Sequence, residues 1–365
     1  MTSAAWNWLN DTIDKKFDGS DIYLISDRPP WVRANDMGVR EMTSDYAPTE
    51  SDIIGLMDGK PNSQALHRAL EDVGFADFAI ELDRWRMRVN ISRQNGRKEV
   101  RAVLRLLKDR VPPLDSLGLP HEQLAKYVNR RSGIILITGI TGSGKSTTMA
   151  SMLLERAKRA DHLITLEDPI EYPLTRLVRD GDQYQADLQQ VEIGTDSASF
   201  ADALRGSLRQ DPDVVLVGEI NNGETADLAI KAAETGHLVL ATLHTRSAPL
   251  TIENLIDKFP IDARESLRKN LAEYLIAVIS QMLVPTVDNR RALAYEIMTG
   301  DNGISQHIKD GKIDQIPNSI RSGGTKYGMR LLNDTLLKMI RDNQISTDVA
   351  MDNTYDRESL SRSRA

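Results

Sequence analysis

The sequence predicts an α/β protein of two domains: an N-terminal α+β domain, then a domain built on a largely parallel sheet. The 365 residues exceed the usual size of one compact domain. Beyond residue 120, short apolar runs alternate with helical stretches, as expected where helices connect parallel strands. We therefore expect an N-terminal domain at 1–112, a linker at 113–120, the second domain at 121–350 and a flexible tail at 351–365.

The N-terminal region reads as strands arranged around an acidic helical segment. Strands are predicted at Ile22–Ile25, Phe78–Leu82 and Trp85–Ile91. The segment from Val111 to Pro120 holds three prolines and a glycine, which neither a helix nor a central strand accommodates. The domain linker is therefore placed there.

The second domain begins with apolar runs that are typical of strands buried on both faces. These runs are Ile134–Ile137, Leu163–Leu166, Val214–Val217 and Leu238–Ala241. After Pro260 the pattern becomes helical, with Arg264–Leu283 as the longest amphipathic stretch and Gly328–Asp342 as the last. The polar residues that follow are expected to fray.

Composition narrows the function classes. Lys and Arg number 46 against 53 Asp and Glu, a net charge of −7, which argues against a dedicated nucleic-acid binder. The sequence has no cysteine, which excludes disulfides, thiolate zinc sites and thiol nucleophiles. The first residues lack a basic region followed by an apolar one, and no stretch approaches the ~20 apolar residues of a membrane span. A cytoplasmic protein is expected.

The strongest motif lies directly after the first predicted strand of the second domain. Gly139–Ser146 matches G-x-x-x-x-G-K-[ST] between a strand and a helix, the pattern of a phosphate-binding loop. Its glycines let backbone amides surround a phosphate, Lys145 supplies a positive charge and Ser146 a hydroxyl for Mg²⁺. The predicted nucleotide-binding residues are Thr141, Gly142, Ser143, Gly144, Lys145, Ser146 and Thr147.

ATP is the favoured nucleotide, because no lysine stands in the Asn/Thr-Lys-x-Asp pattern that guanine-specific proteins use. From the loop alone, a small-molecule kinase remains open. Two acid-tipped strands bear on this choice: one ends at Glu219, and the other leads into Glu167, Asp168 and Glu171. Hydrolysis needs one carboxylate to orient water and another to hold the metal, and Glu219 suits Mg²⁺ through a water molecule.

A third strand places Thr242 and His244 at the same predicted edge, where they would sense the γ-phosphate. Four sequence motifs follow one another along the chain, and together they resemble the motifs of the PilT-like and GspE-like secretion ATPases. Gly139–Thr148 is similar to their Walker A motif, Thr165–Glu171 to the Asp box, Asp211–Glu219 to Walker B and Glu234–His244 to the His box. The likeness extends over residues 16–345.

The resemblance implies a fold, an activity and roles for single residues. The fold is a PAS-like domain, with Ser20–Leu24 and Pro30–Arg33 fitting it, followed by a RecA-like ATPase domain with C-terminal helices. The activity is conversion of ATP and water to ADP and phosphate in a homohexameric ring, coupled to rotation of domains. Glu167 would be the general base, Glu219 the Walker B carboxylate, His244 the His-box residue, and Arg88 and Arg105 the arginines that approach the γ-phosphate.

Residues 84–110 contain ten basic side chains against Glu99 and Asp109. Two interpretations are open: stabilisation of the transferring phosphoryl group by two or three arginines, or a hairpin with solvated charges.

The absence of cysteine favours the retraction branch of the family, since the assembly ATPases usually carry a four-cysteine zinc motif. The resemblance then implies a motor for type IV pilus retraction and twitching motility, peripheral at the inner membrane through a platform protein, with no nucleic-acid partner. The inserted segment Arg179–Gln185 resembles an insertion found in ATPases of type IVB secretion and conjugation. A motor of such a system is therefore the alternative function. A nucleic-acid-translocating ATPase and a nucleotide-gated binding module are the other hypotheses. Asn221 and Asn222 depart from the family's Arg-Asp after Walker B.

Overall fold

The computed structural model describes residues 4–13, 19–34, 38–81, 86–106, 110–288 and 290–362. The chain divides into two compact units, one of residues 1–110 with 169–173 and one of 111–168 with 174–365. The division after Arg110 falls two residues before the predicted domain end at 112. Leu82 and Trp85, which the sequence assigned to strands, lie outside the described residues.

The first unit is built on a six-stranded sheet in the order β3-β2-β1-β6-β5-β4, with every neighbouring pair antiparallel. Its elements are α1 (Ala4–Ile13), β1 (Gly19–Ile25), β2 (Arg28–Ala34), β3 (Gly38–Glu41), α2 (Glu50–Ile54), α3 (Ser63–Asp72), β4 (Phe75–Glu81), β5 (Arg86–Gln94) and β6 (Glu99–Leu106).

Alternation of side chains explains how this sheet forms a core. Met87, Val89 and Ile91 on β5 are fully buried, while the residues between them are polar and face the other side. The turn to β6 contains Asn95 and Gly96 at positive φ, as a tight hairpin requires.

The second unit contains a seven-stranded sheet in the order β13-β12-β7-β11-β10-β8-β9. All neighbouring pairs are parallel except β12 with β13. Its elements are α4 (His121–Val128), β7 (Gly133–Thr138), α5 (Lys145–Arg156), β8 (His162–Glu167), α6 (Leu174–Asp180), β9 (Asp187–Glu192), α7 (Phe200–Ser207), β10 (Val214–Val217), α8 (Gly223–Glu234), β11 (Leu238–Leu243), α9 (Ala248–Asp257), α10 (Arg264–Tyr274), β12 (Leu275–Pro285), β13 (Arg291–Thr299), α11 (Asn302–Asp310), α12 (Ile316–Tyr327), α13 (Leu332–Arg341), α14 (Thr347–Asn353) and α15 (Arg357–Arg362).

The parallel pairing decides where function can lie. Strands β7, β8, β10 and β11 are buried along nearly their whole length, and their carboxyl ends meet at one sheet edge. Loops that follow these strands are therefore neighbours, although they are far apart in sequence. The predicted α/β class and the four predicted strands of this domain are confirmed.

The predicted helix at Arg264–Leu283 is wrong in its second half. Helix α10 ends at Tyr274, and Leu275–Pro285 forms β12, which pairs with both β7 and β13. The apolar, partly β-branched run Leu275–Ile279 is almost fully buried, so tertiary pairing overrides the apparent helical period.

The polar end of the chain contains helical segments. Helices α14 and α15 cover most of residues 347–362, and Leu360 is fully buried in a cluster with Leu336 and Met339 of α13. The flexible tail at 351–365 stays a prediction, although Leu360 in its described part packs into this cluster. Within the described residues, no helix has the length and apolar character needed to cross a membrane.

Candidate functional site

The loop between β7 and α5 has the geometry of a phosphate cradle. Gly139, Gly142 and Gly144 all have positive φ, which glycine adopts without strain. A Cβ at position 139 would lie 2.2 Å from the backbone oxygen of Gln281 on β12, so the close approach also requires glycine there. Helix α5 begins at Lys145, and its first amides have no intrahelical acceptor. The loop and helix start thus offer backbone donors and a positive dipole end to an anion.

Lys145 holds its ammonium group inside this loop. Its Nζ donates to the carbonyl oxygens of Gly139 at 2.9 Å and Ile140 at 3.1 Å, and it lies 3.5 Å from Nδ1 of His244. The Nε2 of His244 in turn lies 3.5 Å from Oε2 of Glu219. Lysine, histidine and carboxylate therefore form one connected row at the sheet edge.

The turn that carries Glu219 is fixed from both sides. The amide of Gly218 donates to Leu166 at 2.7 Å, and the amide of Ile220 donates to Thr242 at 3.0 Å. The Thr242 hydroxyl donates to the Gly218 carbonyl oxygen. Thr242, predicted to sense the γ-phosphate, thus uses its hydroxyl to hold this turn.

Glu167 ends β8 beside that turn. A Cβ at Gly218 would lie 3.4 Å from its Cα. Its Oε1 accepts from the Thr165 hydroxyl at 2.6 Å and from Nε2 of Gln190 at 2.9 Å. The side-chain oxygen of Gln190 accepts a hydrogen bond from the backbone amide of Thr175, at the start of α6, at 3.0 Å. Sequence reasoning missed Gln190, whose signal was only its position on the edge strand β9.

The two candidate arginines lie in the first unit. Arg88 on β5 and Arg105 on β6 stand directly opposite each other in the antiparallel register. Arg105 also faces Asp21 on β1, and its Nε donates to Oδ1 of that buried carboxylate at 2.8 Å. This hydrogen bond raises the pKa of Arg105. Two like charges opposite each other destabilise a sheet, and both side chains are exposed.

The residues predicted to hold Mg²⁺ fit that ion as a donor set. Ser146 is the second residue of α5 and is half-buried. The side chain of Glu219 is 42% exposed. Mg²⁺ commonly takes one or two protein oxygens and completes its shell with phosphate oxygens and water. Among the described residues there is no cluster of three or more acidic, histidine or cysteine ligands.

Comparisons with known proteins agree with this architecture. The family model described as type II/IV secretion system protein matches residues 76–362. The chain belongs to this family. It is 36% identical over 341 residues to the type IV pilus retraction ATPase PilT of Pseudomonas aeruginosa, covering 92% of this chain and 94% of that protein. The resemblance read from the four motifs is thereby confirmed.

Two solved structures share the fold of this secretion-family chain. The crystal structure of the pilus retraction motor PilT with bound ADP matches with a TM-score of 0.82 and 35% identity, covering 98% of both chains. The X-ray structure of the Legionella pneumophila ATPase DotB matches with a TM-score of 0.81 and 26% identity, covering 96% of both chains.

The structure places four of the predicted site residues of this secretion-family chain at one sheet edge. Lys145, His244 and Glu219 form a contiguous row, and Glu167 adjoins the Glu219 turn. Asn222 has a local role: its side chain accepts from the amide of Thr225 at 2.8 Å and caps α8.

Proposed function

We propose that this chain is the ATP-hydrolysing subunit of a motor that retracts type IV pili. The observation that carries the proposal is the row of Lys145, His244 and Glu219 beside a glycine-rich loop at a helix N-terminus. The end-to-end likeness to PilT, at 36% identity, supports retraction as the work that hydrolysis drives. DotB is similar over the same length at lower identity, so a type IVB secretion motor is the second candidate.

In this proposal the loop residues Thr141–Thr147 bind the phosphates of ATP, and Lys145 neutralises the outer ones. Glu167 accepts a proton from the attacking water as its P–O bond forms and the bond to the ADP oxygen breaks. Its hydrogen bonds to Thr165 and Gln190 fix the orientation of the carboxylate. His244 links the loop lysine to Glu219, so that a change at the terminal phosphate reaches both sides of the row.

Ser146 and Glu219 would hold Mg²⁺, which supplies charge neutralisation of the phosphate oxygens when bound. Arg88 and Arg105 would add positive charge toward the terminal phosphate, which is typically worth ~10³ or more in rate. Both side chains are exposed at opposite positions of neighbouring strands, so they lie on one face of the sheet and are accessible to a phosphate, which supports this role.

We further propose a homohexameric ring in the cytoplasm, bound to the inner membrane through a platform protein. Mass measurement of the full chain with ATP tests the ring, and a strictly monomeric result would contradict it. Release of phosphate from ATP by the purified chain tests the enzyme, with Glu167→Gln expected to lose turnover while still binding ATP. Unchanged turnover in that variant would show that the base is misassigned.

Two further outcomes separate the candidate motors. Strong stimulation of hydrolysis by single-stranded DNA would favour a nucleic-acid translocase over a pilus or secretion motor. Deletion of the gene in its own organism should abolish twitching and leave surface pili in place. Normal twitching combined with loss of protein secretion would favour the DotB-like alternative.

A further inference from the structure

Gln281 on β12 lies directly beneath the phosphate-binding loop. In the parallel register, Ser280 is level with Thr138, so Gln281 is level with Gly139, the first glycine of the loop. The side chain is 3% exposed, and its Nε2 donates to the carbonyl oxygen of Ser143 at 2.9 Å. The two residues are 138 positions apart in sequence, so the contact belongs to the assembled fold.

The orientation of this amide is fixed by chemistry. The Ser143 carbonyl only accepts hydrogen bonds, so the Gln281 nitrogen must face it, since the reverse orientation would set two oxygens against each other. The same nitrogen would lie 3.3 Å from a Cβ at position 144. Gly144 is thus limited to glycine by its φ of 90° and by the side chain packed beneath it.

This arrangement carries a local cost. Oε1 of Gln281 and Oγ of Ser143 are both buried without a hydrogen-bond partner among the described residues. A buried polar atom without a partner destabilises a fold, and such atoms concentrate at functional sites. An apolar side chain of similar volume would avoid the cost at position 281, so packing alone does not account for glutamine.

The planarity of the peptide group gives the contact a function. In a trans peptide the carbonyl and the following amide point in opposite directions. A Ser143 carbonyl held toward β12 therefore directs the Gly144 amide away from β12 and leaves it available as a donor. Lys145, the next residue, starts the helix.

We propose that Gln281 is a positioning residue for nucleotide binding, which holds the Ser143–Gly144 peptide in the orientation that donates to phosphate. The inference rests on the proposed function, since it concerns the same loop. Gln281 touches the loop and not the nucleotide, so its loss weakens binding through the loop conformation. The effect should appear in ADP affinity and in KM, with a smaller change in kcat.

The test compares Gln281→Met with Gln123→Met in the full chain. Methionine keeps the length and volume and removes the amide. Gln123 also donates through Nε2 to a backbone carbonyl, that of Tyr327 at 3.0 Å, in the same unit and outside the loop. Binding of a fluorescent methylanthraniloyl ADP is measured for both variants, together with Tm without nucleotide and its rise with ADP.

We expect Gln281→Met to raise the Kd for the ADP probe about tenfold, the usual size for loss of one hydrogen bond, and to reduce the rise in Tm with ADP. Gln123→Met should bind ADP like the wild type, whatever its effect on the Tm without nucleotide. Gln281→Glu, an isostere whose oxygens repel the Ser143 carbonyl, should weaken binding at least equally and serves if the methionine variant does not fold.

Wild-type affinity in both Gln281 variants would overturn the inference, and so would equal weakening in Gln123→Met. A wild-type chain that does not bind ADP would instead overturn the proposed function, and the inference with it.

Discussion

Strands β12 and β13 form one hairpin, and each sends a polar side chain into the interior with a different result. Gln281 on β12 makes one hydrogen bond to the loop, and its oxygen lacks a partner among the described residues. Glu296 on β13 is 1% exposed and accepts from the amides of Ala248 at 2.7 Å and Leu332 at 3.4 Å, and from the Tyr355 hydroxyl.

The difference separates a site that serves a ligand from a site that serves the fold. The Glu296 junction consists of this carboxylate and its three donors. It joins the first turn of α9, the first turn of α13 and the segment between α14 and α15, each of which supplies one donor. The Gln281 junction supports a loop whose remaining donors face a nucleotide in the proposed function. Substitutions at the Glu296 junction should therefore lower stability, and substitutions at the Gln281 junction should lower activity.

Lys145→Ala should give the largest effect of the substitutions considered, and the effect should be on activity. Removal of the ammonium group leaves the outer phosphates without their point charge, so hydrolysis should fall by ~10² or more. The Tm without nucleotide should stay near that of the wild type. Lys231→Ala, which removes an exposed lysine paired with Asp227, is the matched control and should hydrolyse ATP normally. Substantial turnover by Lys145→Ala would exclude this loop as the site.

Gln190→Met should give the next largest effect, because it removes the amide that orients Glu167. The rate constant kcat should fall about tenfold through misplacement of the base, with little change in KM. Gln189→Met is the control, since neighbouring residues of β9 face opposite sides of the sheet. Steady-state kinetics on both variants decide the point, and equal kcat values would remove Gln190 from the proposed mechanism.

The sequence predicted the residues of the phosphate-binding loop and its neighbouring strand ends far better than the buried contacts of Gln281 and Glu296. Gly139–Ser146 follows directly on a buried strand, so a contiguous motif carries both the geometry and the chemistry. Glu167, Glu219 and His244 follow from the rule that carboxyl ends of parallel strands meet at one edge. The positions of Gln281 and Glu296 instead depend on strand β12 and its pairing with β13. The sequence did not predict this strand, because the apolar residues there have the spacing of an amphipathic helix.

Long-range partners explain the remaining misses. Glu296 contacts residues 48 positions before it and 59 positions after it, and no local pattern encodes such pairs. The one available signal was a charged residue between Ala294–Tyr295 and Ile297–Met298, an apolar run in which a carboxylate must be buried and satisfied.

Tyr355→Phe should break the junction and leave the loop intact. Tyr355 is 47% exposed, but its hydroxyl reaches the buried carboxylate, so the substitution removes one donor and almost no packing. Loss of a donor to a buried charged group should lower the free energy of unfolding by about 1–3 kcal/mol. Urea unfolding measures it, with hydrolysis per folded molecule unchanged. An equal loss of activity would show that the two junctions are coupled.

This cost should also depend on pH. Burial raises the pKa of Glu296 above its ordinary value of 4.5, so the folded state holds its proton at higher pH than the unfolded state does. Stability from this group is therefore present below pH 4.5 and is lost as pH rises through the folded pKa. Removal of the Tyr355 donor should raise this pKa further. Tyr355→Phe should then cost more at pH 8 than at pH 5, and a cost independent of pH would show that Glu296 does not titrate with folding.

Asn222→Ala should give the smallest effect and sharpen the boundary between the two kinds of site. Asn222 lies three residues after Glu219, yet its side chain caps α8 and does no chemistry in the proposed function. Loss of an N-cap should lower the free energy of unfolding by about 1 kcal/mol. The Glu219 turn is fixed independently by the Leu166 and Thr242 backbone, so kcat should stay close to the wild-type value. Asn222→Asp, which keeps a capping oxygen, should restore the stability. A fall in kcat for Asn222→Ala that Asn222→Asp does not restore would mean that this asparagine acts in the site itself.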